Sequence, residues 1–269
     1  MDPMRPTTPI YQRIADDLRA QIADGTLPPG SKLPTEAELR EKYGTSARST
    51  VRQGLSLLVN EGLIIPRRPK GYFVREMRPK VYRPQQEFRR KPPEVDIYTH
   101  LIASEDGREP SQDIEVAIVQ PPKAVRDRLG LAEGVTVAAR RRTRYLDREP
   151  YDLNDSYTTL SLVEGTDWMT PGDVARGTNQ VFAELGKELV AALDEIYIRM
   201  PTPEEVRRLQ LGPGTPVAEH IATTFTEGDE PVQVTINIVP GDRNVIVYER
   251  IKNPEDYEAR PRFPWGAEK

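Results

Sequence analysis

The chain contains no cysteine and, among its 269 residues, only two histidines. The first absence removes disulfides, thiolate nucleophiles and Cys-type zinc sites together, and accords with a reducing compartment. The second leaves little with which to build a metal centre or an imidazole general base. Long hydrophobic runs are lacking too. Stretches such as Gly62-Leu63-Ile64-Ile65 and Val245-Ile246-Val247 are strand-sized, so no membrane-spanning helix is expected. The opening MDPMRPTTP has no apolar core of a signal peptide, and a cytoplasmic location is expected. What is present, 37% hydrophobic and 30% charged residues, can close a core under a strongly ionic surface. The length suggests two domains.

Charge is divided unevenly along the chain. Residues 1–92 hold 18 Lys and Arg against 10 Asp and Glu, a balance of +8; the remainder holds 20 bases and 32 acids, a balance of −12. A basic module followed by an acidic one suggests that the first meets a polyanion while the second has another task. The plainer alternative is a basic linker with no partner.

From Pro9 to Asp24, Ile10, Ile14, Leu18 and Ile22 recur every four residues, the period of an amphipathic helix, and Gly25 ends it. Thr35-Glu36-Ala37-Glu38 reads as a capping box opening a second helix, which runs to Tyr43 and stops at Gly44. A third helix is expected from Ser46 as N-cap to Glu61, with Gly62 as the stop signal. Val51, Leu55, Leu58 and Val59 share one face of it, and Ser49, Arg52, Gln53 and Ser56 the opposite one. Two short strands, Leu63–Ile65 and Tyr72–Val74, flank the basic tip Pro66-Arg67-Arg68-Pro69-Lys70-Gly71. Three helices and a basic hairpin describe a winged helix-turn-helix, whose third helix enters the major groove.

These residues resemble the GntR family of bacterial regulators, through Leu33-Pro34-Thr35-Glu36-x-x-Leu39, Tyr43-Gly44, Thr50-Val51-Arg52-Gln53-x-Leu55, Glu61-Gly62-Leu63-Ile64 and Gly71-Tyr72-Phe73-Val74. The family often has an arginine where Ala37 stands, and its stretch before Thr-Val-Arg is one residue shorter than here. Arg52 can donate a bidentate pair to guanine, while Ser49, Thr50 and Gln53 suit phosphate oxygens or adenine edges. Arg48 lies at the edge of the polar stripe. Arg67, Arg68 and Lys70 suit phosphates or the minor groove, and Gly71 permits close backbone approach. Thr35, Glu36 and Ser46 complete the candidate DNA-binding set. Solvated helix residues and a solubilising turn are the bland alternatives.

Residues 75–94, with four prolines and seven bases, read as an extended tether. Beyond it lies an internal repeat. Leu129, Leu131, Gly134, Val137, Ala138 and Thr143 match Leu209, Leu211, Gly214, Val217, Ala218 and Thr223 at an offset of 80, and Glu149-Pro150 matches Glu230-Pro231 after a one-residue slip. Each copy reads as a short helix, a Gly turn, a strand, a turn at Glu-Pro and a second strand. Thr202-x-x-Glu205 caps the second copy's helix. Alternation adds strands over Val190–Met200 and Val232–Val239.

An α+β domain with an antiparallel sheet and two related halves is expected, with room for a pocket between them. This half resembles the UTRA effector-binding domain of HutC-type GntR regulators, whose fold is similar to chorismate lyase, through the Leu-x-Leu-x-x-Gly units, Arg142-x-Arg144, Glu149-Pro150, Ser156-Tyr157, Thr202-Pro203-x-Glu205 and Gly241-Asp242-Arg243. The resemblance implies that the strand arginines and the Ser-Tyr segment line a small-molecule pocket. Alternation places Arg140, Arg142 and Arg144 on one face, suited to a phosphate or carboxylate, or else forming a charged outer face. Asn154, Ser156 and Tyr157, with Gln233, Thr235 and Asn237 from the second copy, complete the candidate effector set. Family members often have acids at Asn154 and Gln233. His100 and His220 show no partner and read as surface or core histidines.

The domains expected are a DNA head at 1–75, a basic Pro-rich linker at 76–94, an effector and dimerisation domain at 95–251 and a loosely ordered tail at 252–269. The resemblance implies a homodimeric repressor of a near-palindromic double-stranded operator, released by a small molecule that is anionic if the arginines bind it. No metal, cofactor, membrane or catalysis is called for. A lyase-like enzyme competes with this reading, though no nucleophile is paired with a base. So do a GntR protein with an all-helical, metal-using C-terminal domain and a regulator of this same type that activates or has lost its effector response.

Overall fold

The computed structural model describes residues 8–67, 69–75, 80–84, 88, 109–248 and 250, and divides into two compact units. The first opens with α1, Ile10–Ala23, which buries Ile14, Ala15 and Leu18. Its α2, Glu36–Lys42, starts on the capping box: Glu38 N–H donates to Thr35 Oγ1 at 3.3 Å and Thr35 N–H donates to Glu38 Oε2 at 2.7 Å. The third helix, α3, spans Arg48–Asn60 and buries Val51, Gly54, Leu55 and Leu58. Its N-cap is Ala47 and not Ser46. Thr45 Oγ1 accepts the Ala47 N–H at 3.3 Å, and no side chain caps the helix itself.

Gly54 explains how tightly α1 meets α3. A Cβ there would stand 2.7 Å from the Tyr11 carbonyl oxygen and 3.2 Å from Ile14. The helix accepts a weak helix former at that turn because no side chain fits. Gly62, at φ +73°, then turns the chain into the hairpin. Strands β1, Ile64–Arg67, and β2, Gly71–Val74, pair antiparallel from Ile64↔Val74 to Arg67↔Gly71, so the ladder includes Pro66 and Arg67 and the tip is shorter than expected. Ile64 and Val74 close the core formed by Ile14, Leu18, Leu33, Leu39, Val51, Leu55 and Leu58.

The second unit is a six-stranded antiparallel sheet in the order β4-β5-β6-β9-β8-β7. Its strands are β4 Pro110–Val119, β5 Val137–Leu146, β6 Glu149–Thr159, β7 Ala191–Arg199, β8 Val217–Phe225 and β9 Pro231–Pro240. The repeat is visible in this order. In the first copy β4 is followed by α4 (Lys123–Arg128), β5 and β6; in the second, β7 is followed by α7 (Pro203–Leu209), β8 and β9. The copies join where β6 pairs with β9, as Leu153↔Ile238 through Thr158↔Gln233.

One face of the sheet packs Val137, Ala139, Tyr157, Ile221 and Val234 against Val125 and Leu129 at α4. The other packs Ala138 and Val232 against Val163, Trp168, Val174, Val181 and Phe182. Those residues come from α5 (Leu160–Val163), a 3-10 turn at Asp167–Met169, and α6 (Thr178–Glu184) with its approach. A small parallel pair, β3 (Lys80–Tyr82) with β10 (Asn244–Ile246), adds Tyr82 and Ile246 to Ala218 and Val239. Among the described residues no helix is long and apolar enough to cross a membrane.

Candidate functional site

Two sets of polar side chains stand out, one in each unit. In the first, the buried side of α3 leaves Arg48, Ser49, Arg52 and Gln53 exposed, with Thr50 half-buried. Arg52 Nε donates to Glu36 Oε1 at 3.0 Å, which raises the guanidinium's proton affinity further. Glu36 therefore aims Arg52. A carboxylate has no donor for a phosphate oxygen, so its place in the candidate set is that of a support. The Thr35 hydroxyl is likewise taken up in its cap, where it also donates to Glu38 Oε2 at 2.9 Å. Ser46 is exposed one residue before the cap. On the hairpin, Lys70 is exposed and the Arg67 guanidinium lies over the Phe73 ring, 5.2 Å from its centroid. Gly71, at φ +114°, holds the turn. Arg68 lies outside the described residues, as does His100.

The second set is a layer of polar side chains buried on one face of the sheet. Pairing aligns Arg142↔Asn154, Asn154↔Asn237 and Asn237↔His220 across β5, β6, β9 and β8. Hydrogen bonds follow that register. Arg142 Nη1 donates to Asn154 Oδ1 at 2.6 Å and to Ser156 Oγ at 3.2 Å. Asn154 Nδ2 donates to Asn237 Oδ1, and Asn237 Nδ2 reaches His220 Nδ1 at 3.2 Å. His220 completes the row with Tyr82 OH at 2.7 Å on Nδ1 and Asp194 Oδ1 at 2.9 Å on Nε2. Ser156 and Thr235 stand hydroxyl to hydroxyl at 3.2 Å alongside, and the buried Gln233 Oε1 has no hydrogen-bond partner among the described residues. Arg144 lies 3.7 Å from Asp152 at the row's flank.

Arg142 is the unusual member. Its guanidinium is buried, and among the described residues no carboxylate lies within ion-pair distance. Burial, and then repulsion from Arg144 and Arg140, push its proton affinity down to about 9, with Asp155 and Asp173 opposing. It is still a cation at neutral pH. A buried charge without a counter-ion costs several kcal/mol unless a partner arrives, roughly the penalty of a broken ion pair.

Two expected members of the effector set play other parts. Arg140 shares the face, but its guanidinium donates to the carbonyls of Trp168 at 3.1 Å, Thr170 at 2.6 Å and Gly172. It pins the turn that covers the sheet, and that segment, distant in sequence, could not be foreseen as its partner. Tyr157 points the opposite way, into the core with Val125 and Val234, because neighbouring strand residues alternate. A solvated outer sheet face is excluded for Arg140 and Arg142, which are 1% and 7% exposed. His220, Asp194 and Tyr82 were not among the expected site residues. The one signal was the repeat, whose offset of 80 sets His220 where the first copy has Arg140.

Residues 10–74 match the model for bacterial regulatory proteins of the gntR family, and residues 106–244 match the UTRA domain. An HTH-type transcriptional regulator of Streptomyces coelicolor is 33% identical over 254 residues, covering 91% of this chain and 94% of that protein. The mannosyl-D-glycerate transport/metabolism system repressor MngR of Escherichia coli is 29% identical, covering 81% and 85%. The transcriptional repressor NagR of Bacillus subtilis is 27% identical, covering 89% and 94%. Among solved structures, a GntR-family transcriptional regulator aligns with a TM-score of 0.59 at 26% identity, over 91% of this chain and 99% of the other. A winged helix-turn-helix with a basic hairpin, followed by a duplicated antiparallel sheet with a polar interior, thus has one consistent assignment: the chain belongs to the GntR family of bacterial transcriptional regulators, in the HutC-type branch that carries a UTRA domain.

Proposed function

We propose that this regulator is a cytoplasmic repressor that holds a near-palindromic operator as a homodimer and releases it when a small anionic molecule enters the polar layer at Arg142. The observation that carries the reading is the buried guanidinium with no carboxylate at ion-pair distance among the described residues. A phosphate or carboxylate there gains charge-assisted bonds, and Arg144, Ser156, Thr235 and Gln233 offer further polar groups on the same face. The names of MngR and NagR support repression.

In this reading residues 1–75 are the DNA head, 95–251 the effector and dimerisation domain and 252–269 the tail. The linker expected at 76–94 is not a free tether throughout, since Lys80–Tyr82 within it is strand β3 of the second unit and Tyr82 is buried there. Arg52 reads a base, Arg48, Ser49, Thr50 and Gln53 add base or phosphate contacts, and Arg67, Arg68 and Lys70 flank the groove. A second copy would meet the edge strand β7, where Leu193 and Ile198 are 55% and 72% exposed, with Met200 just beyond its end 60% exposed. Two-fold pairing of such an edge satisfies its backbone groups and buries its apolar side chains. Release needs only that the effector prefer the arrangement that fits the operator poorly; a coupling of about 1–3 kcal/mol shifts operator affinity about 5–150-fold. A thermal-shift screen of sugar phosphates and organic acids, repeated on Arg142→Met, tests the reading. Anions that stabilise both proteins equally would remove Arg142 from the effector site.

A further inference from the structure

The amide row between Arg142 and His220 has a direction. The Asp194 carboxylate can only accept, so His220 Nε2 carries a proton and donates across their 2.9 Å contact. In the neutral ring Nδ1 is then an acceptor, for Tyr82 OH at 2.7 Å and Asn237 Nδ2 at 3.2 Å. Asn237 must turn its oxygen to Asn154, and Asn154 its oxygen to Arg142, which is the arrangement observed. Each amide's orientation is fixed by the next, and the series starts at the ring.

We propose that His220 is a positioning residue for the effector site: its ring, held by Asp194, sets the polarity of the Asn237–Asn154 pair and so decides whether Arg142 faces an amide oxygen or an amide nitrogen. The inference rests on the reading of Arg142 as the anion site. A proton added at Nδ1 makes that atom a donor. Tyr82 OH turns its own proton away, and Asn237, whose N–H would now meet an N–H, turns its oxygen toward the ring to accept the new proton, which sets its nitrogen against that of Asn154. Asn154 turns in response, and Arg142 loses its amide acceptor and faces an N–H group. The cation then lacks its main neutral partner, and an anion beside it gains two kinds of donor. Protonating His220 therefore strengthens anion binding, and a bound anion favours the protonated ring by the same factor. The groups facing the ring among the described residues are Asp194 of β7, Tyr82 of β3 and Asn237 of β9, with Tyr248 close enough to Asp194 to feel its charge.

Sulfate is a suitable probe because its charge does not change between pH 6 and pH 8.5. With two histidines in the chain, ring nitrogens of the full-length protein can be followed individually by 15N NMR. The ligand-free protein at pH 8.5 should show the Nε2–H form of His220. Sulfate should shift that ring's signals and bind about fivefold or more tightly at pH 6 than at pH 8.5. His220→Asn keeps an acceptor near Nδ1 but cannot take up a proton, and its sulfate affinity should be the same at both pH values. Where that variant does not fold, Asp194→Asn serves: it should populate the Nδ1–H form and shrink the pH ratio. Sulfate binding that depends on Arg142, tested with Arg142→Met, but leaves the His220 ring silent or keeps its pH ratio in these variants, overturns the inference and spares the anion site. Absence of Arg142-dependent sulfate binding overturns both.

Discussion

Arg52 on α3 and Glu36 at the start of α2 form an ion pair of 3.0 Å, so the arginine at the centre of the exposed helix face is oriented before any DNA is present. Arg52→Ala should weaken operator binding about 5–150-fold, the range of one bidentate base contact, with a smaller loss on random DNA. Glu36→Gln should cost less and act through the same term, so that the double variant is no worse than Arg52→Ala alone. Fluorescence anisotropy on both DNAs reads this, and equal losses on operator and random DNA would make Arg52 a phosphate contact.

The +8 balance of residues 1–92 sets the second expectation. Phosphate neutralisation releases counterions, so log affinity for DNA should fall linearly and steeply with log salt concentration. Each of Arg67→Ala and Lys70→Ala should reduce that slope by about one. A slope near zero for the parent would contradict a DNA-binding head.

Gly54→Ala offers a test of the head's packing. In a solvated helix this change stabilises by about 1 kcal/mol. Here the new methyl group would stand 2.7 Å from the Tyr11 carbonyl, and destabilisation of about 1–3 kcal/mol is expected from overpacking. Thermal unfolding of the full chain gives the sign directly.

The exposed edge at β7 carries the expectation of a dimer. Leu193→Lys together with Ile198→Lys should leave the fold intact and shift sedimentation equilibrium toward monomer, with weaker operator binding through lost avidity. A dimer of unchanged strength would move the interface elsewhere.

The helices of the head were legible because their signals are local: a four-residue period, a capping box, glycines at the ends. The duplicated sheet was legible because it states itself twice, at an offset of 80. What escaped depends on residues far apart in the chain. Alternation placed Arg140 and Arg142 on one face but could not say that Trp168, Thr170 and Gly172 would occupy one and leave the other with no carboxylate at ion-pair distance among the described residues. The Ser156-Tyr157 pair was read as one unit, although adjacent strand residues face opposite ways. β4 was not foreseen, although Ile114, Val116 and Ile118 alternate within it. His220 showed no partner because Asp194, Tyr82 and Asn237 come from three other strands.

The proposed function requires that a small anion held at Arg142 control operator binding. Operator affinity of the full chain should be measured with and without the anion that most raises its melting temperature, in parent and Arg142→Met side by side. The anion should weaken operator binding by the parent about 5–150-fold and leave that of Arg142→Met unchanged. An anion that binds through Arg142 and leaves the parent's operator affinity untouched would contradict it.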